Sequence, residues 1–305
     1  MVDIPTIDFA IFNESDPEAM RLLASSVSDA LTGSGFMKIR NLGVSQASIN
    51  KAFELSRRFF EQSEAQKAGS AYTSAEENFG YQSLGVEHLD PSQPADLKQT
   101  FTMRDLLKHD PKDGRWPSEG FRDFTTEFYQ ECLEAAYRIM RVFSVALDKD
   151  RDFFVRCHGG ESVSLRYLYY PSSGVSDIKG GQLGAGAHTD YGTITLLFQK
   201  DIGGLEVRDA AGIWHAVEPE NDAIVINTGD LMERWTNGNY RSTPHRVQPK
   251  IGDVDRYSIA MFVDPDAATP VSVLESCLAA GASNRYPDIT AGKYIQERIQ
   301  ASHGD

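Results

Sequence analysis

Gly186-Ala187-His188-Thr189-Asp190-Tyr191-Gly192-Thr193 is the stretch on which the reading of this 305-residue chain turns. In an extended strand alternate side chains share a face, so His188 and Asp190 point one way and Thr189 the other. One face then offers an imidazole and a carboxylate. A second imidazole, His245 in Ser242-Thr243-Pro244-His245-Arg246-Val247, completes two nitrogens and one oxygen around a single metal ion if a separate strand brings it in. Such a facial set leaves the opposite positions of an octahedral ion open to other ligands. Further on, Arg256-Tyr257-Ser258 puts a guanidinium fork and a hydroxyl on one strand face. That geometry grips a carboxylate by charge-assisted hydrogen bonds.

Composition narrows the partners. The formal charge of −14 with no basic cluster argues against nucleic acid and anionic membranes. The three cysteines, Cys132, Cys157 and Cys277, are too far apart for a Cys-x-x-Cys pair, so they read as buried thiols and not as a disulfide framework or a structural zinc site. No apolar run is long enough to cross a bilayer, and the first residues carry acids where a leader would carry a basic flank. The expectation is a soluble cytoplasmic protein acting on a small molecule, as a monomer or homodimer.

Around the central stretch, residues 4–9 read as a strand. Asp16-Pro17-Glu18 starts a helix that stops at Gly33-Ser34-Gly35, residues 36–40 form a second strand, and Ser45 caps another helix. Residues 66–118, rich in Gly, Pro, Ser and charge, read as an extended connection with short strands, in which His88 and His109 face solvent. Glu119 to about Leu147 is the longest helical stretch. Val163 to Tyr170 switches to strand composition, with Arg166, Leu168 and Tyr170 on one face. Gly180, Gly181, Gly184 and Gly186 suggest a mobile approach to His188. Short strands then recur at 193–198, 205–208, 213–217, 223–227 and 256–263, a spacing that argues for a sandwich or barrel. Thr290 to Ile299 is a terminal helix that either caps the barrel or pairs two subunits.

Taken together, these motifs resemble the isopenicillin N synthase-like branch of the 2-oxoglutarate and Fe(II)-dependent dioxygenases. Ile4-Pro5-Thr6-Ile7-Asp8-Phe9, Asp96-Leu97-Lys98, Tyr169-Tyr170-Pro171, Gly203-Gly204-Leu205-Glu206-Val207, Trp214 and Asn227-Thr228-Gly229-Asp230 fall in the family's order. The resemblance covers nearly the whole chain. It implies a mainly β fold with flanking α-helices and a double-stranded β-helix core, a cupin-like jelly roll. The expected organisation is one catalytic domain over 1–305, with a helix-rich part at 1–150, the core with its metal site at 160–265 and a C-terminal helical segment at 266–305.

The resemblance further implies Fe(II) on His188, Asp190 and His245. The co-substrate 2-oxoglutarate takes two open positions, with its distal carboxylate on Arg256 and Ser258 and with Tyr170 facing the pocket. Dioxygen takes the last position, and ascorbate serves as a reductant. Succinate and carbon dioxide leave while a small metabolite, in specialised metabolism or catabolism, is hydroxylated by default; desaturation or ring formation uses the same oxidant. The family's Asn is Leu168 here, which alters how the iron-proximal end of the oxoacid is held. The family's loop over the pocket mouth makes Phe79 and Tyr81 substrate candidates, with a plain surface loop as the alternative. Extending the strand alternation past Arg256 and Ser258 points Ala260 and Phe262 inward beside Leu168, with Phe262 as a substrate wall or ordinary core.

Three rival readings remain. An iron oxidase of the same fold would dispense with 2-oxoglutarate. A zinc hydrolase would use the same ligands but leaves Arg256 and Ser258 unexplained and lacks a Glu beside a metal His. A non-catalytic binding module is the third, and an intact ligand set weighs against it. His215, beside Trp214, is expected to be no ligand.

Overall fold

The computed structural model describes residues 3–108, 115–172, 174, 178–278 and 283–303, so His109 lies outside the described residues. Strand β1 (Thr6–Asp8) leads to helix α1 (Pro17–Gly33), which Asp16 caps by accepting from the Glu18 and Ala19 amides. Pro17, with no N–H to lose, fills the first helical position. Strand β2 (Phe36–Arg40), helices α2 (Gln46–Phe60) and α3 (Glu64–Lys67), and strands β3 (Gly80–Gln82) and β4 (Gln99–Arg104) follow. After the long α4 (Glu119–Ala146) and the short α5 (Phe153–Arg156) come β5 (Val163–Tyr170), β6 (Ala185–His188), β7 (Ile194–Gln199), β8 (Leu205–Arg208), β9 (Trp214–Ala216) and β10 (Ile224–Thr228). Helix α6 (Asp230–Trp235), strands β11 (His245–Val247), β12 (Arg256–Val263), β13 (Pro270–Val271) and β14 (Ile289–Thr290), and helix α7 (Ala291–His303) complete the order.

Two sheets enclose the site. The larger has eight strands in the order β1-β2-β10-β7-β12-β5-β4-β3, and the smaller has four in the order β6-β11-β8-β9. This is the double-stranded β-helix expected from the sequence. Strand β12 alternates across the large sheet: Ile259 and Met261 point out under α2 and α4, whereas Arg256, Ser258, Ala260 and Phe262 line the inner face. The outer face is apolar because helices cover it. Its densest part is aromatic, with ring centroids 5.0 Å apart for Phe59–Phe101, 5.6 Å for Phe101–Phe121 and 5.5 Å for Phe121–Tyr167.

The 66–118 connection carries short strands, as expected, but Phe79 and Tyr81 are not at the pocket. The 66–118 connection contains β4, a strand of six residues paired along its whole length with β5. Its alternation is real but muted, since the inward partners of Phe101 and Met103 are the small polar Thr100 and Thr102. Phe79 and Tyr81 are core residues, 1% and 6% exposed, and neither lines the cavity. Phe79 stacks edge-on to Trp116 at 4.9 Å, and the Tyr81 hydroxyl bonds Gln99 at 2.9 Å. The chain order that brings this loop near the mouth does not fix which way its rings turn.

A buried histidine ties α5 to the metal-bearing segment. His158 is 0% exposed; its Nδ1 donates to the Phe154 carbonyl at 2.6 Å, so its Nε2 accepts from the Thr193 hydroxyl at 2.8 Å. Burial holds its pKa down to about 4, below the ordinary 6.5. The unfolded chain therefore takes the proton first, and stability falls as pH drops from 6.5 towards about 4. The expected loss reaches about 3 kcal/mol. Urea denaturation between about pH 4 and about pH 7 checks this: His158→Gln should be less stable at neutral pH but lose less stability on acidification than the parent.

Candidate active site

Strands β6 and β11 pair antiparallel, with His188 directly opposite His245 and ring centroids 4.3 Å apart. Each Nδ1 faces a backbone carbonyl two residues earlier, Gly186 at 2.7 Å for His188 and Thr243 at 3.1 Å for His245. A carbonyl only accepts, so both Nδ1 atoms carry the proton and both Nε2 lone pairs are free to bind a metal. Burial, and next the neighbouring His245, hold the His188 pKa down to about 3, so its imidazole stays neutral.

Asp190 Oδ1 lies 3.8 Å from the His188 Nε2 and 3.7 Å from the His245 Nε2. The three ligand atoms lie within 4.8 Å of one another, and this is the one such cluster among the described residues. The other carboxylate oxygen, Oδ2, accepts from Thr195 Oγ1 at 2.6 Å and Asn227 Nδ2 at 2.7 Å. A shared strand face does not position Asp190, contrary to the sequence reading. Strand β6 stops at His188, because the chain there leaves the small sheet and crosses to β7 in the large one. Thr195, Asn227 and the Asp230 amide, which donates to the Asp190 carbonyl at 2.8 Å, aim the carboxylate instead.

Of the glycines before His188, Gly184 and Gly186 sit in close packing at the metal strand, as does Gly192 after it, whereas Gly180 has open space around it. A Cβ on Gly186 would lie 2.8 Å from the Asp90 backbone nitrogen, and one on Gly192 would overlap the Asp264 carboxylate. Segment 96–98 packs beside β6, with the Gly186 amide donating to Asp96 Oδ1 at 2.9 Å and Leu97 N to the Leu183 carbonyl at 2.9 Å. Lys98 there is paired with Asp96 at 2.8 Å and with Glu87 at 3.0 Å. Glu87 also pairs with Arg166.

A cavity of about 720 Å³ runs between the sheets past this cluster. At one end sits Arg256, 2% exposed, its guanidinium 4.6 Å over the Tyr170 ring. It donates to Gln199 Oε1 at 3.0 Å and to Ser258 Oγ at 3.4 Å, and it has no carboxylate partner among the described residues. Arg256 Nε and Gln199 Nε2 are buried donors with no hydrogen-bond acceptor. Burial of an uncompensated cation pulls the Arg256 pKa below its ordinary value. Sequence reading missed Gln199, whose role arises only from its register opposite Ser258. Leu168, Ala260 and Phe262 line the wall between, as the alternation implied.

At the mouth, α7 contributes Ile295 and Ile299 to the lining. Tyr294 donates to Asp230 Oδ2 at 2.9 Å and Arg298 to Thr189 Oγ1 at 3.3 Å, so the terminal helix caps the cavity. His88 is exposed, in agreement with the sequence reading. His215 pairs with Asp209 at 2.7 Å on β9, apart from the metal cluster. Removing an outer hydrogen bond to a metal ligand typically weakens metal binding about 10- to 100-fold. Anaerobic Fe(II) or Co(II) titration should therefore show that loss for Asn227→Ala and Thr195→Val, and none for His215→Ala.

The comparisons with known proteins agree with this geometry. Residues 160–265 match the 2OG-Fe(II) oxygenase superfamily, and residues 4–124 match the family described as non-haem dioxygenase in morphine synthesis N-terminal. A 2-oxoglutarate-Fe(II) type oxidoreductase (ppzD) of Metarhizium majus is 33% identical over 97% of this chain and 94% of its own length. A full-length Neurospora crassa protein crystallised in complex with alpha-KG and thymine superposes with a TM-score of 0.87 at 30% identity, covering 98% of this chain and 97% of that one. JOX2 in complex with 2OG, Fe and JA gives a TM-score of 0.80 at 30% identity, covering 97% and 84%. With the ligand cluster, the buried arginine and the two-sheet core all in family order, the chain belongs to the 2OG-Fe(II) oxygenase superfamily and is an Fe(II)- and 2-oxoglutarate-dependent dioxygenase.

Proposed function

We propose that His188, Asp190 and His245 hold the Fe(II), that Arg256 and Ser258 anchor the distal carboxylate of 2-oxoglutarate, and that a small metabolite is oxidised over Phe262 and Ala260. The observation that carries this reading is the guanidinium of Arg256, buried without a carboxylate partner among the described residues, its own Nε and the neighbouring Gln199 Nε2 both lacking an acceptor. Leaving a buried charge unpaired is costly, and a carboxylate between Arg256 Nε, Gln199 Nε2 and Ser258 would satisfy it. The donor set, two neutral imidazole nitrogens and one carboxylate oxygen, suits Fe(II) and leaves cis positions open.

With both groups bound, iron would let dioxygen oxidise the oxoacid to succinate and carbon dioxide with one oxygen atom and a substrate C–H bond with the other. The chain's own part is positional. Thr195 and Asn227 hold one Asp190 oxygen and leave the other for the metal. The Gly186 and Thr243 carbonyls keep both imidazoles turned with Nε2 inward. Tyr170 covers the Arg256 guanidinium, and Leu168, in the family's Asn position, contributes a hydrocarbon wall and no donor.

Hydroxylation is the default outcome, with desaturation or ring formation decided by substrate pose. A small-molecule substrate is supported by the thymine and JA held by the similar structures. No described helix is long and apolar enough to cross a membrane. The chain is proposed to act as one catalytic unit, monomeric or homodimeric, in a cytoplasm that keeps iron and the three free cysteines reduced.

Succinate release tests the anchor. Arg256→Ala should raise the KM for 2-oxoglutarate more than Ser258→Ala, since a charged pair is worth about 1.5–3 kcal/mol against about 0.5–1.5 for a neutral bond. Arg256→Lys should also be damaging, because an ammonium lacks the fork. An unchanged KM in Arg256→Ala would reject the assignment. Phe262→Ala separates wall from core: a substrate wall predicts succinate formed without product, whereas plain core predicts a stability loss of about 3–5 kcal/mol with the product-to-succinate ratio unchanged.

A further inference from the structure

Directly opposed residues in neighbouring strands share a face of the sheet. One such row crosses five strands of the large sheet: Asn227 on β10, Thr195 on β7, Phe262 on β12, Ser164 on β5 and Arg104 on β4. All five line the cavity. The row starts at the metal ligands, since Asn227 and Thr195 hold Asp190, and it ends on a guanidinium. Three strand spacings, roughly 14 Å, separate the Thr195 and Arg104 backbones. That is room for one small organic molecule lying across Phe262 and Ser164.

Charge bookkeeping along the cavity singles out Arg104. Of the four Lys and Arg side chains in the lining, Lys98 is neutralised by Asp96 and Glu87, and Arg166 by Glu87. Arg256 and Arg104 have no carboxylate partner among the described residues. Arg256 is accounted for by the oxoacid. Arg104 spends its Nε on the Glu161 carbonyl at 3.2 Å, which leaves the terminal amino groups to the cavity. An anionic group on a substrate is drawn towards Arg104.

We propose that Arg104 is the residue that selects and orients the substrate, and that the substrate is a small organic acid. Its carboxylate pairs with the Arg104 guanidinium, and its carbon skeleton lies over Phe262 towards the metal. The proposal rests on the oxygenase reading above, to which it adds the substrate class.

The test uses the full-length protein with Fe(II), 2-oxoglutarate and a panel of arylalkanoic and cycloalkyl monocarboxylic acids, each paired with its methyl ester. Stimulated succinate release is measured for the wild type, Arg104→Gln and Arg104→Lys. Acids should stimulate the wild type far more than their esters. Arg104→Gln should lower kcat/KM for the acids about 10- to 100-fold and leave the esters unchanged, with Arg104→Lys in between. Anaerobic 2-oxoglutarate binding to the Fe(II) form and thermal unfolding should be unchanged in both variants. Stimulation by no acid, equal stimulation by acid and ester, or an acid preference that survives Arg104→Gln would overturn the proposal. Failure of the wild type to bind 2-oxoglutarate would instead reject the oxygenase reading, and this subsite with it.

Discussion

The register of β12 between β5 and β7 is the constraint on which the rest depends. The strand is paired on both sides along most of its length, so its inner residues line up with Gln199, Leu197 and Thr195 on one side and with Leu168, Arg166 and Ser164 on the other. A slip of one residue would turn Arg256 and Ser258 into the helix-covered core and bring Ile259 and Met261 into the cavity. What prevents the slip is on the opposite face: Ile259 and Met261 are 0% exposed under the helices, and relocating them would forfeit that burial. The apolar outer core therefore fixes the polar inner site.

The cavity is ordered by charge as much as by shape. Cations that serve structure are paired, as Lys98 and Arg166 are through Glu87 and Asp96, and this buried network ties the 83–98 segment to β5 and to the metal strand. Burial alone would push the Glu87 carboxyl up, but Arg166 and Lys98 outweigh it and hold the pKa down to about 2. The network thus stays ionised across any ordinary pH. Arg256 and Arg104, which lack carboxylate partners among the described residues, line the cavity.

Local rules account for much of what the sequence made legible. Asp16 with Pro17 is a complete helix-start signal within three residues, and it marks the start of α1. The β12 alternation needs only the two-residue period, so Arg256, Ser258, Ala260 and Phe262 were correctly assigned to one face. The same rule placed His188 and Asp190 together, as the structure does, but β6 ends at His188 and other residues hold the Asp190 carboxylate. The glycine-rich approach read as mobile. Glycine tolerates both freedom and close contact, and only the position of Asp90 shows that Gly186 serves contact.

By itself the sequence determined the kinds of donor atom available, the local periods and the order in which the motifs occur. Residue type and short-range geometry pointed to a metal-binding face and a carboxylate-gripping fork, and the order of the motifs carried the family resemblance that implied the jelly-roll core and the Fe(II) chemistry. Only the tertiary structure decided which distant residues meet: His188 with His245 across two strands, Asn227 and Thr195 on Asp190, Gln199 on Arg256, and Phe79 and Tyr81 in the core instead of the pocket. The physical reason is that strand pairing and sheet closure bring together residues far apart in the chain, and no local pattern records which strand lies beside which.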